Sequence, residues 1–168
     1  MDKAVQLLAQ RNHSKLELKK KLTLFFTKKN RPLSSKTDPF LDEDTLLSSH
    51  MSLIKQIDQA IDYCHERKWL DDYAFAAVYI EMRSKRGFGY KRIIMELNQR
   101  GITNDVAMTF FAQNESDTVL KKMSEVIEKK YGKIDKFDIK QRQKIYRFLL
   151  SRGFSQQNVN SIYSLIED

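Results

Sequence analysis

Glycine and proline are placed in this chain so that only helices fit between them. Five glycines occur in 168 residues, Gly87, Gly89, Gly101, Gly132 and Gly153. Each stands where one run of apolar residues at helical spacing stops and another begins, and a glycine can take the left-handed conformation that closes a helix without a Cβ penalty. Both prolines, Pro32 and Pro39, fall in one polar stretch from Lys28 to Asp44, which reads as a long loop. Between these marks the apolar residues recur three and four apart. Examples are Leu18, Leu22, Phe25 and Phe26; Ile54, Ile57, Ile61 and Cys64; Phe75, Val78, Tyr79 and Met82; Tyr90, Ile93, Ile94 and Leu97; and, near the end, Val159, Ile162, Tyr163 and Ile166. Sustained strand-like alternation is absent.

Start signals agree with these faces. Ser14 with Glu17 and Asp138 with Gln141 have capping-box spacing, and Asp71 or Asp72, Thr103 and Ser155 can accept bonds from free N-terminal amides. The spacing predicts about nine short helices, over roughly 4–11, 14–27, 51–67, 72–86, 89–100, 104–114, 117–131, 138–152 and 156–166. Leu97-Asn98-Gln99-Arg100-Gly101-Ile102-Thr103 is similar to Leu149-Leu150-Ser151-Arg152-Gly153-Phe154-Ser155, and Arg67-Lys68-Trp69-Leu70-Asp71-Asp72 follows the same order of basic, apolar and capping residues. Generic helix-turn-helix grammar and a true repeat both fit that match. A true repeat makes each unit depend on its neighbours to bury its faces and predicts an elongated stack.

Hydrophobic residues make up 41% of the chain, ample for a core, and no apolar run approaches the roughly 18 to 20 residues needed to cross a bilayer. One cysteine, Cys64, can form no internal disulfide, and the chain reads as cytoplasmic. The net charge is +8, and it is uneven: residues 1–31 carry +7, 32–72 carry −5, 73–101 carry +4 and 102–168 carry +2. Basicity admits nucleic acid, anionic membrane or an acidic protein, and sign separation suits a chain that lies along phosphates yet also meets protein.

Little in the chain supports catalysis, so no enzymatic activity and no cofactor are expected. His13, His50 and His65 are isolated, and Cys64 and His65 point about 100° apart on a helix. Cys64 continues an apolar stripe and reads as core. Asp71-Asp72 precedes a helix, where capping explains it better than paired acid–base chemistry. Gly87-Phe88-Gly89 lacks the preceding strand and full pattern of a phosphate loop and reads as a helix connection with Phe88 as its plug. Trp69 reads as a packing anchor rather than a base platform.

Trp69-Leu70-Asp71-Asp72-Tyr73-Ala74-Phe75-Ala76, then Arg83-Ser84-Lys85-Arg86-Gly87-Phe88-Gly89, Arg92-Ile93, Glu96-Leu97 and Arg100-Gly101-Ile102 together resemble the central signature of the RecX family. Ala4 to Leu22, with His13-Ser14-Lys15-Leu16-Glu17-Leu18, resembles that family's opening helix pair, and Arg147-Phe148-Leu149-Leu150-Ser151-Arg152-Gly153-Phe154 its third module. The resemblance implies an all-α chain of three tandem three-helix modules, here 1–69 with the loop at 28–44, 70–115 and 116–168. It implies a monomeric regulator of RecA that binds the RecA filament on single-stranded DNA and restrains strand exchange, ATP hydrolysis and coprotease activity in DNA repair and the SOS response, with no membrane partner.

Against that background Arg83, Lys85, Arg86, Lys91, Arg92 and Arg100 read as a basic face able to contact phosphates or RecA carboxylates, arginine through its planar fork of donors. Lys15, Lys19 and Lys20 in the first module, and Lys140, Arg142, Lys144, Arg147 and Arg152 in the third, are further candidates, for which a solubilising role fits as well. A reading of another class is a helix-turn-helix regulator of duplex DNA, with Lys91, Arg92, Asn98 and Gln99 turned toward a groove.

Overall fold

The computed structural model describes residues 2–29, 43–111, 116–132 and 138–167. Among them are nine α-helices and no strand: α1 (Asp2–Gln10), α2 (Lys15–Lys29), α3 (Glu43–Glu66), α4 (Asp72–Lys85), α5 (Tyr90–Asn98), α6 (Asn104–Phe111), α7 (Ser116–Tyr131), α8 (Ile139–Ser151) and α9 (Gln156–Glu167). None of these helices is long and apolar enough to cross a membrane. The expected loop is shorter at both ends than 28–44: α2 runs through Lys29, and α3 starts at Glu43 rather than near 51. Leu47 to Ser52 are all exposed, so this first part of α3 has no apolar stripe to betray it, and no glycine or proline interrupts it. The rest of the loop, 30–42, lies outside the described residues.

The chain divides into two compact units, Met1–Phe75 and Ala76–Asp168. In the first, Ala4 and Leu7 of α1, Leu18 and Leu22 of α2, and Ile57, Ile61 and Cys64 of α3 close one core with Leu70. Burial pushes the Cys64 thiol up and leaves it inert. The start of α2 is held twice, since the Ser14 hydroxyl accepts the Glu17 N–H (3.1 Å) and the Asp72 carboxylate accepts the Lys15 N–H (2.8 Å). Asp71 caps its own helix by accepting the N–H groups of Tyr73 and Ala74. The adjacent carboxylates thus serve two different helix N-termini.

His13 is buried between α1 and α2. Its Nδ1–H donates to the Arg11 carbonyl (2.8 Å), and Nε2 accepts from the Lys21 ammonium (2.9 Å), which fixes the neutral tautomer. Burial first, then the Arg11 and Lys21 charges, hold its pKa below the ordinary histidine value despite the carbonyl.

In the second unit Met123 and Ile127 of α7, Ile145 and Leu149 of α8, and Val159 and Ile162 of α9 enclose Phe154. Ile80, Ile93, Leu97, Ile102 and Ala107 are also buried. Two sequence expectations change here. Val78 (55% exposed) and Met82 face outward from α4 while Ala76 and Ile80 are buried, because α4 is apolar nearly all round and a 3.6-residue period cannot choose its inner face. Trp69, in the first unit, is 48% exposed: it packs edge-on to Tyr63 with Arg67 over both rings, and the neighbouring Leu70 takes the core position.

One turn recurs four times. Lys68, Gly87, Gly101 and Gly153 each have positive φ (57°, 76°, 82° and 88°), and each donates its N–H to the carbonyl three residues back. The next residue, Trp69, Phe88, Ile102 or Phe154, donates to the carbonyl five back. These are Schellman closures, each written Arg-Gly-apolar except for the first, Arg67-Lys68-Trp69. Left-handed backbone costs an L-residue roughly 1–2 kcal/mol. Lys68→Gly is therefore expected to raise stability by about 0.5–1 kcal/mol, as a higher urea midpoint at unchanged slope; a lower midpoint counts against the strain.

Candidate functional site

The predicted basic face lies in the second unit, where the turn before α5 meets the turn before α9. The Gly89 N–H donates to the Arg152 carbonyl (2.8 Å), and the Lys91 N–H to the Gly153 carbonyl (3.1 Å). Such direct backbone pairing needs glycine on both sides. A Cβ on Gly89 would overlap the Gly153 carbonyl and the Phe154 nitrogen, and a Cβ on Gly153 would overlap the Arg92 backbone nitrogen. Gly87-Phe88-Gly89 is a helix connection as expected, but Gly89 is required by this approach rather than by its φ of −80°.

Four of the seven predicted arginines, Arg83, Arg92, Arg100 and Arg152, are absorbed by this junction. Phe88 carries three guanidinium groups over its ring, from Arg83 (3.8 Å to the centroid), Arg152 (4.6 Å) and Arg92 (5.0 Å). Arg152 also donates to the Arg86 carbonyl (3.2 Å) and Arg92 to the Ser151 carbonyl (3.1 Å). Beneath them Glu96 gathers the rest. Its Oε2 accepts from the Tyr79 hydroxyl (2.8 Å) and Arg83 Nε (2.6 Å), and its Oε1 from the Arg83 terminal nitrogen and Arg92 Nε (3.2 Å). Arg100 donates to the Glu96 carbonyl (2.7 Å) and covers the Tyr79 ring. Burial would raise the Glu96 carboxyl, but the bonds from Arg83, Tyr79 and Arg92 outweigh it and hold the pKa below the ordinary carboxylate value. Burial, and then the bond to Glu96, push the Tyr79 phenol up.

Glu96, Tyr79 and the ring of Phe88 were not among the residues predicted for this face. Their signal was the single acid placed four residues after Arg92 in a basic stretch.

What remains outward at this junction is Lys85, Arg86 and Lys91, all exposed. Lys85 has an exposed Glu81 partner one turn back, a pairing of small worth. In the first unit Lys15 pairs with Asp62 (3.2 Å) and Lys19 with Asp58 (2.5 Å), so α3 answers part of the α2 charge, while Lys20 is exposed. On α8 Lys140, Lys144 and Arg147 are exposed along one flank, and Arg142 lies over the Tyr163 ring (5.3 Å). By sequence the first unit carries +2 and the second +6. The two cationic blocks expected from the sequence thus reduce to one dominant cationic unit. For the duplex-reading alternative, Arg92 is held inside the junction and the Asn98 amide donates to Asn104 (2.9 Å).

Two family models match the chain, RecX second three-helix domain over residues 71–108 and RecX third three-helix domain over residues 119–162. The regulatory protein RecX of Yersinia enterocolitica is 34% identical over 175 residues, covering 98% of this chain and 95% of that protein. That of Serratia proteamaculans is 36% identical over 169 residues, covering 97% and 95%. The crystal structure of RecX from Lactobacillus salivarius superposes with a TM-score of 0.68 at 18% identity, over 99% of this chain and 93% of that one, a likeness of fold. With the all-helical architecture and both domain matches falling on the helices described above, the chain belongs to the RecX family of regulatory proteins.

Proposed function

We propose that this protein regulates RecA: it binds the RecA filament on single-stranded DNA and restrains strand exchange, ATP hydrolysis and coprotease activity. The observation that carries the reading is the full-length match to regulatory RecX proteins. The +6 of the second unit supports it, since a filament of nucleic acid and protein attracts a cationic partner. Lys85, Arg86 and Lys91 are the contact residues of choice, because their charges point away from the junction that Arg83, Arg92, Arg100 and Arg152 build. Three three-helix modules, at 1–69, 70–115 and 116–168, are the proposed units of function.

RecA-driven strand exchange and DNA-dependent ATP hydrolysis, titrated up to equimolar protein at low salt, test the reading. Inhibition is expected, and its absence overturns the reading. Lys85→Glu/Arg86→Glu/Lys91→Glu should fold normally and raise the half-inhibiting concentration at least about tenfold. If these residues touch phosphates, the log–log salt slope falls by about 0.7 for each phosphate no longer neutralised; an unchanged slope with weaker inhibition assigns them to RecA carboxylates.

A further inference from the structure

Helices α8 and α9 of the second unit leave an open groove of about 430 Å³, lined by Ile139, Arg142, Gln143 and Tyr146 from α8 and Asn160 and Tyr163 from α9. Its size falls within the roughly 300–1,000 Å³ of small-ligand sites. The floor is aromatic: the Tyr146 and Tyr163 rings stack at 6.2 Å and 29°. Tyr163 is held in place by its hydroxyl, which donates to the Arg142 carbonyl (2.6 Å). Ile139, 68% exposed, forms an apolar lip. Gln143 and the exposed Asn160 add amides that both donate and accept.

The two helices are strongly cationic, and the acid beside the groove, Asp138, is engaged in capping α8 through the Lys140 and Gln141 N–H groups. From Ile139 to Ile166 there are five cationic residues and no acidic one. Three of them, Lys140, Lys144 and Arg147, recur at helical spacing along one flank of the groove, and all are exposed. A cationic rail beside an aromatic, amide-lined recess matches single-stranded nucleic acid, whose phosphates take the rail while an unstacked base enters the recess. A duplex keeps its bases stacked and offers none to such a groove.

We propose that the α8–α9 groove is a nucleobase subsite for single-stranded DNA, with Tyr146 and Tyr163 as the stacking surface, Gln143 and Asn160 on the base edge, and Lys140, Lys144 and Arg147 on the backbone. Because an amide can present either a donor or an acceptor, the subsite tolerates any base. It deepens, and rests on, the proposed action at a single-stranded DNA filament, but the oligomer-binding and attachment measurements leave RecA out, so the two readings fail separately.

The test compares binding of a fluorescent oligo-dT and of an abasic oligomer of equal length and charge to the full chain at low salt. The oligo-dT is expected to bind about tenfold tighter, the worth of one stacked base. Ile139→Ser/Gln143→Ala/Asn160→Ala, three changes outside the core, should reduce that difference severalfold, because the base loses its edge contacts and apolar lip while the tyrosines stay, and should leave abasic binding and the helical circular dichroism unchanged. Irradiating the complex with oligomers carrying 5-iododeoxyuridine should attach them to Tyr146 or Tyr163. Equal affinity for the two oligomers, or attachment only elsewhere, overturns the proposal. So does a triple variant that keeps its preference for bases but loses inhibition of RecA, which would make the groove a protein-binding surface.

Discussion

Gly153→Ala is expected to lower stability by about 3–5 kcal/mol, a loss large enough to move the thermal midpoint by about 10 °C or more in a chain of this size. Two penalties coincide at that position. Its φ of 88° is unfavourable for any residue with a Cβ, and the new methyl would overlap the Arg92 backbone, which no rotamer change can relieve. Moving the backbones apart would also break the Lys91-to-Gly153 and Gly89-to-Arg152 bonds. Gly132→Ala is the internal control, for it shares the positive φ (69°) but meets nothing within 4 Å. It should lose only about 1 kcal/mol. Equal losses for the two variants, measured by urea unfolding, would show that the close approach of the two turns contributes nothing.

Glu96→Ala should have the next largest effect, about 3 kcal/mol, because it strands the largely buried Arg83 guanidinium and removes the acceptor of Tyr79 and Arg92 together. The effect has a pH signature. Glu96 has a depressed pKa in the folded chain, so its contribution is complete above the unfolded carboxylate value near about 4.3 and is lost as pH falls through the folded value. The gap between wild type and Glu96→Ala should therefore be widest near neutrality and close as the solution is acidified below about pH 4. A gap that stays constant with pH would mean that the side chain acts by packing alone.

Much of the fold was legible because helix punctuation is local chemistry. Asp71, Asp138 and Ser155 each accept the amide bonds that their spacing announced, and the glycines at 87, 101 and 153 close helices as expected. The fourth such turn was harder to see because Lys68 occupies the glycine's place. The early start of α3 was hidden because exposed helix carries no apolar period. At the site the limit was different in kind. Sequence reports that Arg83, Arg92 and Arg152 are cations, but not that one phenylalanine ring and one carboxylate engage them, since Arg152 reaches Phe88 only where two turns meet and Arg83 reaches Glu96 only across the packing of α4 on α5. Counting charge therefore overstated what is available to a partner. Arg83, Arg92, Arg100 and Arg152 hold the fold together, and Lys85, Arg86 and Lys91 beside them are left outward.

The meeting of the Gly89 and Gly153 turns also has a mechanical meaning. Side chains yield under load by changing rotamer, whereas two peptide planes pressed directly together have no such slack. A force applied at Lys91 by a bound filament would pass through amide hydrogen bonds straight into the turn that starts α9. The cations on α5 and the groove between α8 and α9 would then move as one piece, like teeth on a single comb, and on the proposed reading the spacing between them would be a ruler for the bound filament.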